Sequence, residues 1–152
     1  DYLVEDFPLG TAGCLNKLSE INKKDVIIVN GDVFCDVDFL SLIEFHQSNR
    51  KEATVVVKKH EMTNPYGEVE VFENEFLNIF EKPTYHSLIN TGIYVLSAKS
   101  INLINKNEKI DMPNLLKRIQ DKEGKINVYK TDEYWLDVGN PIDLSQIGAT
   151  IF

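Results

Sequence analysis

The sequence lacks several features that mark whole classes of protein. Its 152 residues contain no apolar run long enough to span a membrane and no signal peptide, so we expect neither a membrane protein nor a secreted one. The net charge is −8 and no basic cluster tracks along the chain, so we expect no nucleic-acid partner. The three histidines show no metal-ligand spacing, which disfavours a zinc site.

Cysteine is also scarce. Cys14 and Cys35 are the only two, and both stand in largely apolar sequence. This usage favours reduced, buried thiols in a cytoplasmic protein. The length suits one domain with a hydrophobic core of its own.

No complete phosphate-binding motif is present. Gly10-Thr11-Ala12-Gly13 opens a predicted helix, and free backbone N–H groups at such a start bind a phosphate or the edge of a base. The segment lacks the glycine and lysine spacing of a P-loop or a dinucleotide fingerprint. Without further support, it reads as an ordinary loop before a helix.

Predicted strands and helices alternate along the chain, which is typical of an α/β fold. We expect a mixed sheet, parallel early and antiparallel later, with the β-branched run 25–29 covered on both faces. The predicted strands are 2–5, 25–29, 53–57, 88–96, 125–129 and 134–136, with a hairpin from 67–72 and 76–80. Five helices are predicted. The first follows the small-residue loop and ends at about residue 21, and the second begins at 39 after the cap Asp38. Two more span 98–105 and 111–122, and the last begins at Pro141 after the cap Asn140.

Two acidic groups follow predicted strands at a glycine. Asp32 lies in Asn30-Gly31-Asp32, and Asp137 precedes Val138-Gly139. Strand carboxyl ends face the ligand crevice of an open α/β sheet, and two carboxylates there suit a hard cation beside a phosphate. We therefore expect Asp32 and Asp137 to converge, although a simple turn also explains the first motif.

Two other charged motifs carry competing interpretations. Glu81 and Lys82 precede Pro83, which favours an extended exit and places the pair at a strand end. The pair suits a phosphorylated, hydroxyl-rich ligand, or forms a plain surface ion pair. Asp36-Val37-Asp38 imitates the Asp-x-Asp metal motif of glycosyltransferases, but a cap role for Asp38 explains it better.

Seven short motifs follow one another in the chain: Pro8–Gly13, Asn30–Asp32, Pro65–Gly67, Glu81–Pro83, Ile89–Tyr94, Asp111–Pro113 and Trp135–Gly139. In this order they resemble the sugar-1-phosphate nucleotidyltransferases. The resemblance is closest to the bacterial branch with mannose- and heptose-1-phosphate guanylyltransferases and glucose-1-phosphate thymidylyltransferases. It covers nearly the whole chain.

This resemblance implies a fold, a reaction and a set of site residues. The fold is a Rossmann-like three-layer mixed sheet of the nucleotide-diphospho-sugar transferase type. The reaction gives pyrophosphate and a nucleotide sugar, a polysaccharide precursor. By position, the implied roles are Mg²⁺ ligation by Asp32 and Asp137, catalysis by Asp32 and by Lys82 at the sugar phosphate, sugar binding by Gly67, Glu81, Asn90, Thr91 and Gly92, and nucleobase contact by Leu9, Gly10 and Thr11.

The chain departs from the family at its start. The family opens with a glycine-rich loop that carries an arginine and a lysine for the nucleoside triphosphate, and residues 1–152 contain no such loop. We therefore expect an N-terminally incomplete, C-terminal sugar-binding portion of the domain, inactive alone. Its expected partners are a sugar-1-phosphate, a nucleoside triphosphate, and either a second copy or the N-terminal segment.

Two alternatives stay open at this point. One is a metal-dependent glycosyltransferase that uses Asp36 and Asp38. The other is a non-catalytic regulatory or assembly domain that binds a sugar phosphate.

Overall fold

A computed structural model describes residues 2–18 and 24–139. Its helices are α1 (Gly10–Gly13), α2 (Phe39–Asn49), α3 (Ala98–Ile101) and α4 (Met112–Asp121), with a 3₁₀ turn at Cys14–Leu18. Its strands are β1 (Val26–Val29), β2 (Val33–Cys35), β3 (Ala53–Thr63), β4 (Glu68–Phe72), β5 (Glu75–Phe80), β6 (Thr84–Leu96), β7 (Ile126–Thr131) and β8 (Trp135–Asp137). Among the helices of these residues, none is long and apolar enough to cross a membrane.

The central sheet is mixed and has the order β1-β6-β3-β7. Among the described strands, β3 and β7 alone pair in parallel, whereas β6 is antiparallel to β1 and to β3. The expected α/β fold with a mixed sheet is confirmed. The early strands β1 and β3 run in the same direction, but they do not pair with each other, because β6 lies between them. Its last six residues are all buried, and a central strand covered on both faces needs such a run.

Helices cover both faces of this sheet, which gives the expected three layers. Side chains of a strand alternate between faces. Tyr94 and Leu96 of β6 pack with residues of α3 and α4, whereas Ile93 and Val95 pack with Leu42 of α2. The core therefore consists of two clusters, with β6 contributing to both.

An arm extends from this core. β3 and β6 are longer than predicted, and residues 59–63 of β3 pair with 84–88 of β6 beyond the helices. Both segments are exposed, and we call them the arm. The hairpin of β4 and β5 connects its two strands, and the prediction of this hairpin is confirmed.

Helix α2 begins as predicted. The Asp38 carboxylate accepts hydrogen bonds from Leu40 N at 2.9 Å and from Ser41 N at 3.2 Å, which confirms the cap. The Ser41 hydroxyl donates to the same carboxylate at 2.6 Å. These bonds keep the Asp38 pKa below its usual value. Asp38 therefore has a structural role, which weakens the glycosyltransferase alternative.

Several predicted boundaries are wrong. Residues 2–5 form no strand, since no strand of the described residues pairs with them. The first helix is only α1, Gly10–Gly13, because the chain continues as a 3₁₀ turn over Cys14–Leu18 rather than as α-helix. Helix α3 ends at Ile101 instead of 105. The predicted helix at Pro141, and the stretch 19–21, lie outside the described residues.

Strand β1 is also less covered than predicted. It lies at the edge of the described sheet, and its residues are partly buried or, at Val29, exposed. Cys14 and Cys35 are both free thiols, but they are half-buried rather than buried.

Candidate active site

The short sheet of β2 and β8 brings the two acidic motifs side by side. Val33 is paired with Asp137, and Val138 N donates to the Asp32 carbonyl at 2.8 Å. Asp32, the residue before β2, therefore lies one position from the Val33–Asp137 pair, although 105 positions separate Asp32 from Asp137 in the sequence (137 − 32). Both residues are exposed. Within residues 2–18 and 24–139, no group of three or more His, Cys, Asp or Glu side chains adds further ligands.

The Asn30 turn packs against the end of the Asn90–Gly92 segment. Asn30 N donates to the Gly92 carbonyl at 3.0 Å. Gly92 has a φ of +74°, and a Cβ atom built on it would lie 2.8 Å from Asn30 Nδ2. Glycine is therefore required here by its backbone conformation and by close approach. This contact joins the end of β1 to the middle of β6.

Trp135 joins the Asp137 segment to the Asn90–Gly92 segment. Trp135 lies on β8, two residues before Asp137, and its indole N–H donates to the Thr91 carbonyl at 2.8 Å. Three predicted motifs, 30–32, 90–92 and 135–137, are thus held together by hydrogen bonds. We call this group of segments the carboxylate cluster.

Within this cluster, two of the predicted sugar-binding side chains are used by the fold. Thr91 is buried, and its hydroxyl donates to the Val56 carbonyl at 2.9 Å, next to the bulge in β3. The Asn90 amide donates to the Tyr94 hydroxyl at 2.5 Å and accepts from Gly92 N at 3.2 Å. Asn90 is nevertheless exposed, whereas Thr91 is enclosed.

The small-residue loop is bound to the start of α4. Thr11 N donates to Asp111 Oδ1 at 3.0 Å, and the Thr11 hydroxyl accepts from Met112 N at 2.8 Å. Ala12 N donates to the Ile110 carbonyl at 3.0 Å. The N–H groups of Thr11 and Ala12 are therefore not free for a ligand, because a segment about one hundred residues away accepts from them.

The same contacts explain Gly10. A Cβ atom built on it would lie 2.6 Å from Asp111 Oδ1 and 2.7 Å from the Ile110 carbonyl. Leu9 is buried, and its carbonyl accepts from Ile110 N at 2.9 Å. The loop Leu9–Thr11 is consequently fixed in place before any ligand arrives.

An open cavity of about 1190 Å³ connects this loop to the carboxylate cluster. Gly10 and Thr11 line one part of it and Asn30, Gly31 and Asp32 another, with the strand β1 between them. Two predicted ligand contacts, the base loop and the first acidic motif, therefore share one cavity. Cys14 also lines it, but burial and the nearby Glu5 raise the pKa of its thiol, so it is not an activated nucleophile.

A second group of predicted residues meets near the base of the hairpin. A Cβ atom built on Gly67 would lie 3.1 Å from Glu81 Oε2, so the Gly67 backbone packs against this carboxylate. Strand β5 ends at Phe80, and Lys82 has a φ of +44°, which is rare for a lysine. The chain thus leaves the alternating strand geometry just before Glu81 and Lys82. We call Gly67, Glu81 and Lys82 the arm cluster.

Sequence reasoning missed two residues that bond these segments together, Asp111 and Trp135, and gave no role to Glu68. Asp111 and Trp135 fall inside motifs that were noticed, but their partners are far away in sequence. Glu68 reads only as the polar position of an alternating strand. The sequence shows each of these residues only as a hydrogen-bonding side chain in or next to a motif, and this does not identify the residue that it bonds.

This chain belongs to the nucleotidyl transferase family, whose model matches residues 1–151. It is 36% identical over 153 residues to a mannose-1-phosphate guanyltransferase of Yarrowia lipolytica, across 93% of this chain and 41% of that protein. The chain therefore spans less than half the length of this curated relative.

Solved structures show the same fold. HddC from Yersinia pseudotuberculosis, complexed with GMP-PN, matches with a TM-score of 0.71 and 22% identity, across 100% of this chain and 67% of that one. A UDP-glucose pyrophosphorylase from Acinetobacter baumannii matches with a TM-score of 0.66 and 22% identity, across 93% of this chain and 55% of that one. At these identities the likeness concerns the fold.

Proposed function

We propose that residues 1–152 form the C-terminal, sugar-binding portion of a larger sugar-1-phosphate nucleotidyltransferase. In this reaction a phosphate oxygen of the sugar-1-phosphate attacks the α-phosphorus of a nucleoside triphosphate. The bond from the α-phosphorus to the bridging oxygen breaks, and pyrophosphate leaves. The observation that carries the proposal is the pairing of Val33 with Asp137, which brings Asp137 next to the Asp32 segment beside a cavity that the base loop also lines, in a chain of this family.

The carboxylate cluster fits Mg²⁺. This ion is usually held by one or two carboxylates, with water and substrate phosphates as its other ligands. Asp32, just before β2, and Asp137, at the end of the paired strand β8, are two exposed carboxylates, and we propose them as the protein ligands. When bound, Mg²⁺ neutralises charge on the reacting phosphates.

The arm cluster suits the sugar phosphate. Lys82 is exposed, and no carboxylate of residues 2–18 or 24–139 forms an ion pair with its ammonium group. We propose that Lys82 binds the sugar phosphate and that Glu81 accepts hydrogen bonds from the sugar hydroxyls. Because both residues lie past the end of β5, strand alternation does not force them to opposite sides. The exposed Asn90 is a further candidate for the hydroxyls.

The N-terminal part of the enzyme has a place to pair. Within the described residues, β1 has a strand partner on one side only, and β1 borders the open cavity. An unpaired strand edge accepts another strand through its free backbone groups. We propose that the segment with the glycine-rich loop pairs here and so brings the triphosphate to Asp32.

The free Cys14 and Cys35 are consistent with a reducing, cytoplasmic compartment.

The comparisons favour guanine and mannose as substrates. The curated relative above is named a mannose-1-phosphate guanyltransferase, and the HddC structure holds GMP-PN. We propose that the enzyme uses GTP and mannose-1-phosphate, to make a nucleotide sugar for polysaccharide synthesis. The base loop, held by Asp111, is the part of this chain that we assign to the nucleobase.

A substrate panel tests this proposal. The full-length enzyme is assayed for pyrophosphate release with mannose-, heptose- and glucose-1-phosphate, each with GTP, dTTP, UTP, CTP and ATP, with and without Mg²⁺. We expect the highest kcat/KM with GTP and mannose-1-phosphate, and no turnover without a divalent ion. Preference for another pair of sugar-1-phosphate and nucleoside triphosphate would correct the proposed substrates but leave the proposed reaction unchanged. A sugar-phosphate that binds with no turnover for any pair would support a non-catalytic domain instead.

A further inference from the structure

Asn64, Glu68 and Tyr85 form a hydrogen-bonded group at the base of the hairpin, and we call it the clasp. Asn64 Nδ2 donates to Glu68 Oε1 at 2.7 Å, and the Tyr85 hydroxyl donates to the other oxygen, Glu68 Oε2. The clasp joins three segments, which are the turn after β3, the first residue of β4 and the second residue of β6. Both carboxylate oxygens of Glu68 are therefore bonded within the protein.

The clasp is connected to the arm cluster through the backbone. Glu68 follows Gly67 directly and is paired with Phe80, the residue before Glu81. Asn64 N donates to the Pro83 carbonyl at 3.0 Å, one residue after Lys82. The clasp therefore holds the chain on both sides of Glu81 and Lys82.

Side-chain bonds also shape the turn that carries Gly67. The Asn64 side-chain carbonyl accepts from Tyr66 N at 3.1 Å. The same amide thus fixes the turn through its oxygen and Glu68 through its nitrogen. Gly67 lies between these bonds, with its backbone against Glu81.

The charges of the clasp are consistent with a fixed carboxylate. The hydrogen bonds from Tyr85 and Asn64 lower the pKa of Glu68, and the bond to Glu68 raises the pKa of Tyr85. At neutral pH the pair is therefore an ionised carboxylate and a protonated phenol, which is the arrangement that both bonds need. Bonds to an ionised acceptor are among the stronger hydrogen bonds in proteins.

We infer that Glu68 is a positioning residue for the sugar-phosphate site: held by Asn64 and Tyr85, it sets the place of Gly67, Glu81 and Lys82. This inference rests on the proposed function, because it assigns a purpose to an arrangement around the proposed ligands. The carboxylate of Glu68, a half-buried residue at the start of β4, accepts bonds from two different segments that flank these three residues. Small displacements of positioned groups are costly in catalysis, so the clasp affects the site more than its surface location suggests.

The test compares matched variants of the full-length enzyme. Glu61 is a suitable control, since it is an exposed glutamate of the same arm that bonds Lys59 at 2.8 Å and His86 at 3.2 Å, away from the arm cluster. We expect Glu68→Ala to raise KM for the sugar-1-phosphate about tenfold while KM for the nucleotide stays unchanged. Glu61→Ala should alter neither. Glu68→Gln should restore most of the loss, because glutamine offers an acceptor to Asn64 and a donor to Tyr85.

A second variant covers the case in which Glu68→Ala does not fold. Tyr85→Phe removes one donor and leaves the ring, and we expect the same rise in KM for the sugar-1-phosphate, smaller in size. Equal changes for Glu68→Ala and Glu61→Ala, or equal rises in KM for both substrates, would overturn the inference. The variant Lys82→Asn distinguishes failure of the inference about the clasp from failure of the proposed sugar-phosphate site. If Lys82→Asn raises KM and the clasp variants do not, only the clasp is refuted, whereas no effect of Lys82→Asn would refute the proposed site itself.

Discussion

Replacing Lys82 by asparagine in the full-length enzyme is expected to lower kcat/KM for the sugar-1-phosphate about a hundredfold, a loss typical of removing one group that stabilises charge in a transition state. Lys82 has a φ of +44°, and asparagine tolerates such a backbone more readily than alanine does. The substitution therefore removes the ammonium group while keeping the chain conformation. Steady-state kinetics with either substrate varied provide the measurement.

Two other lysine variants complete that experiment. Lys82→Arg keeps the charge and should retain more activity than Lys82→Asn. Lys59→Asn is a matched control, because Lys59 is an exposed lysine of the arm that pairs with Glu61 rather than with the arm cluster. Equal kinetics for Lys82→Asn and Lys59→Asn would remove Lys82 from the site.

Asp32→Asn and Asp137→Asn are each expected to lower kcat by about a hundredfold to a thousandfold and to raise the Mg²⁺ concentration that gives half-maximal rate. The two carboxylates lie beside the β2–β8 pairing and are proposed to share one ion. Residues that act as a unit are not additive, so the double variant should be scarcely worse than either single one. A Mg²⁺ titration of initial rates measures both effects.

Asp36 supplies the control for the metal site. It is an exposed aspartate one residue past β2, and its backbone N–H donates to the Tyr134 carbonyl at 3.0 Å. Asp36→Asn should leave the Mg²⁺ dependence unchanged. If Asp36→Asn abolished activity and Asp32→Asn did not, the Asp-x-Asp interpretation and a glycosyltransferase would be favoured instead.

The local features of the fold could be predicted from the sequence. Alternation marked the β4–β5 hairpin, and the cap at Asp38 is made by atoms within three residues of it. The order of strands could not be predicted in this way. Val26 pairs with Leu96, and neither segment carries a mark of the other, because apolar runs pair with any partner of similar length. The lengths of β3 and β6 were underestimated for a related reason, since their outer halves are polar and exposed.

In the candidate site, too, local features could be predicted from the sequence and long-range contacts could not. The motifs themselves were visible, and the ends of strands predicted that the segments of Asp32 and Asp137 meet, which agrees with the pairing of Val33 with Asp137. The groups that hold the motifs in place could not be predicted, because a carboxylate such as Asp111 has many potential donors in a chain of 152 residues. Thr91 illustrates the converse, as a motif residue whose hydroxyl is bonded inside the sheet. A motif fixes a position in the sequence, whereas the partner depends on tertiary contacts.

The most direct test of the account is pyrophosphate release by residues 1–152 and by the full-length enzyme, measured side by side with GTP, mannose-1-phosphate and Mg²⁺. The isolated chain has a net charge of −8 and no glycine-rich loop for the triphosphate, so we do not expect the two aspartates proposed as Mg²⁺ ligands to align the α-phosphate by themselves. We expect turnover by the full-length enzyme and none by the isolated chain. Turnover by the isolated chain at a rate near that of the full-length enzyme would contradict the assignment of residues 1–152 as the sugar-binding portion alone.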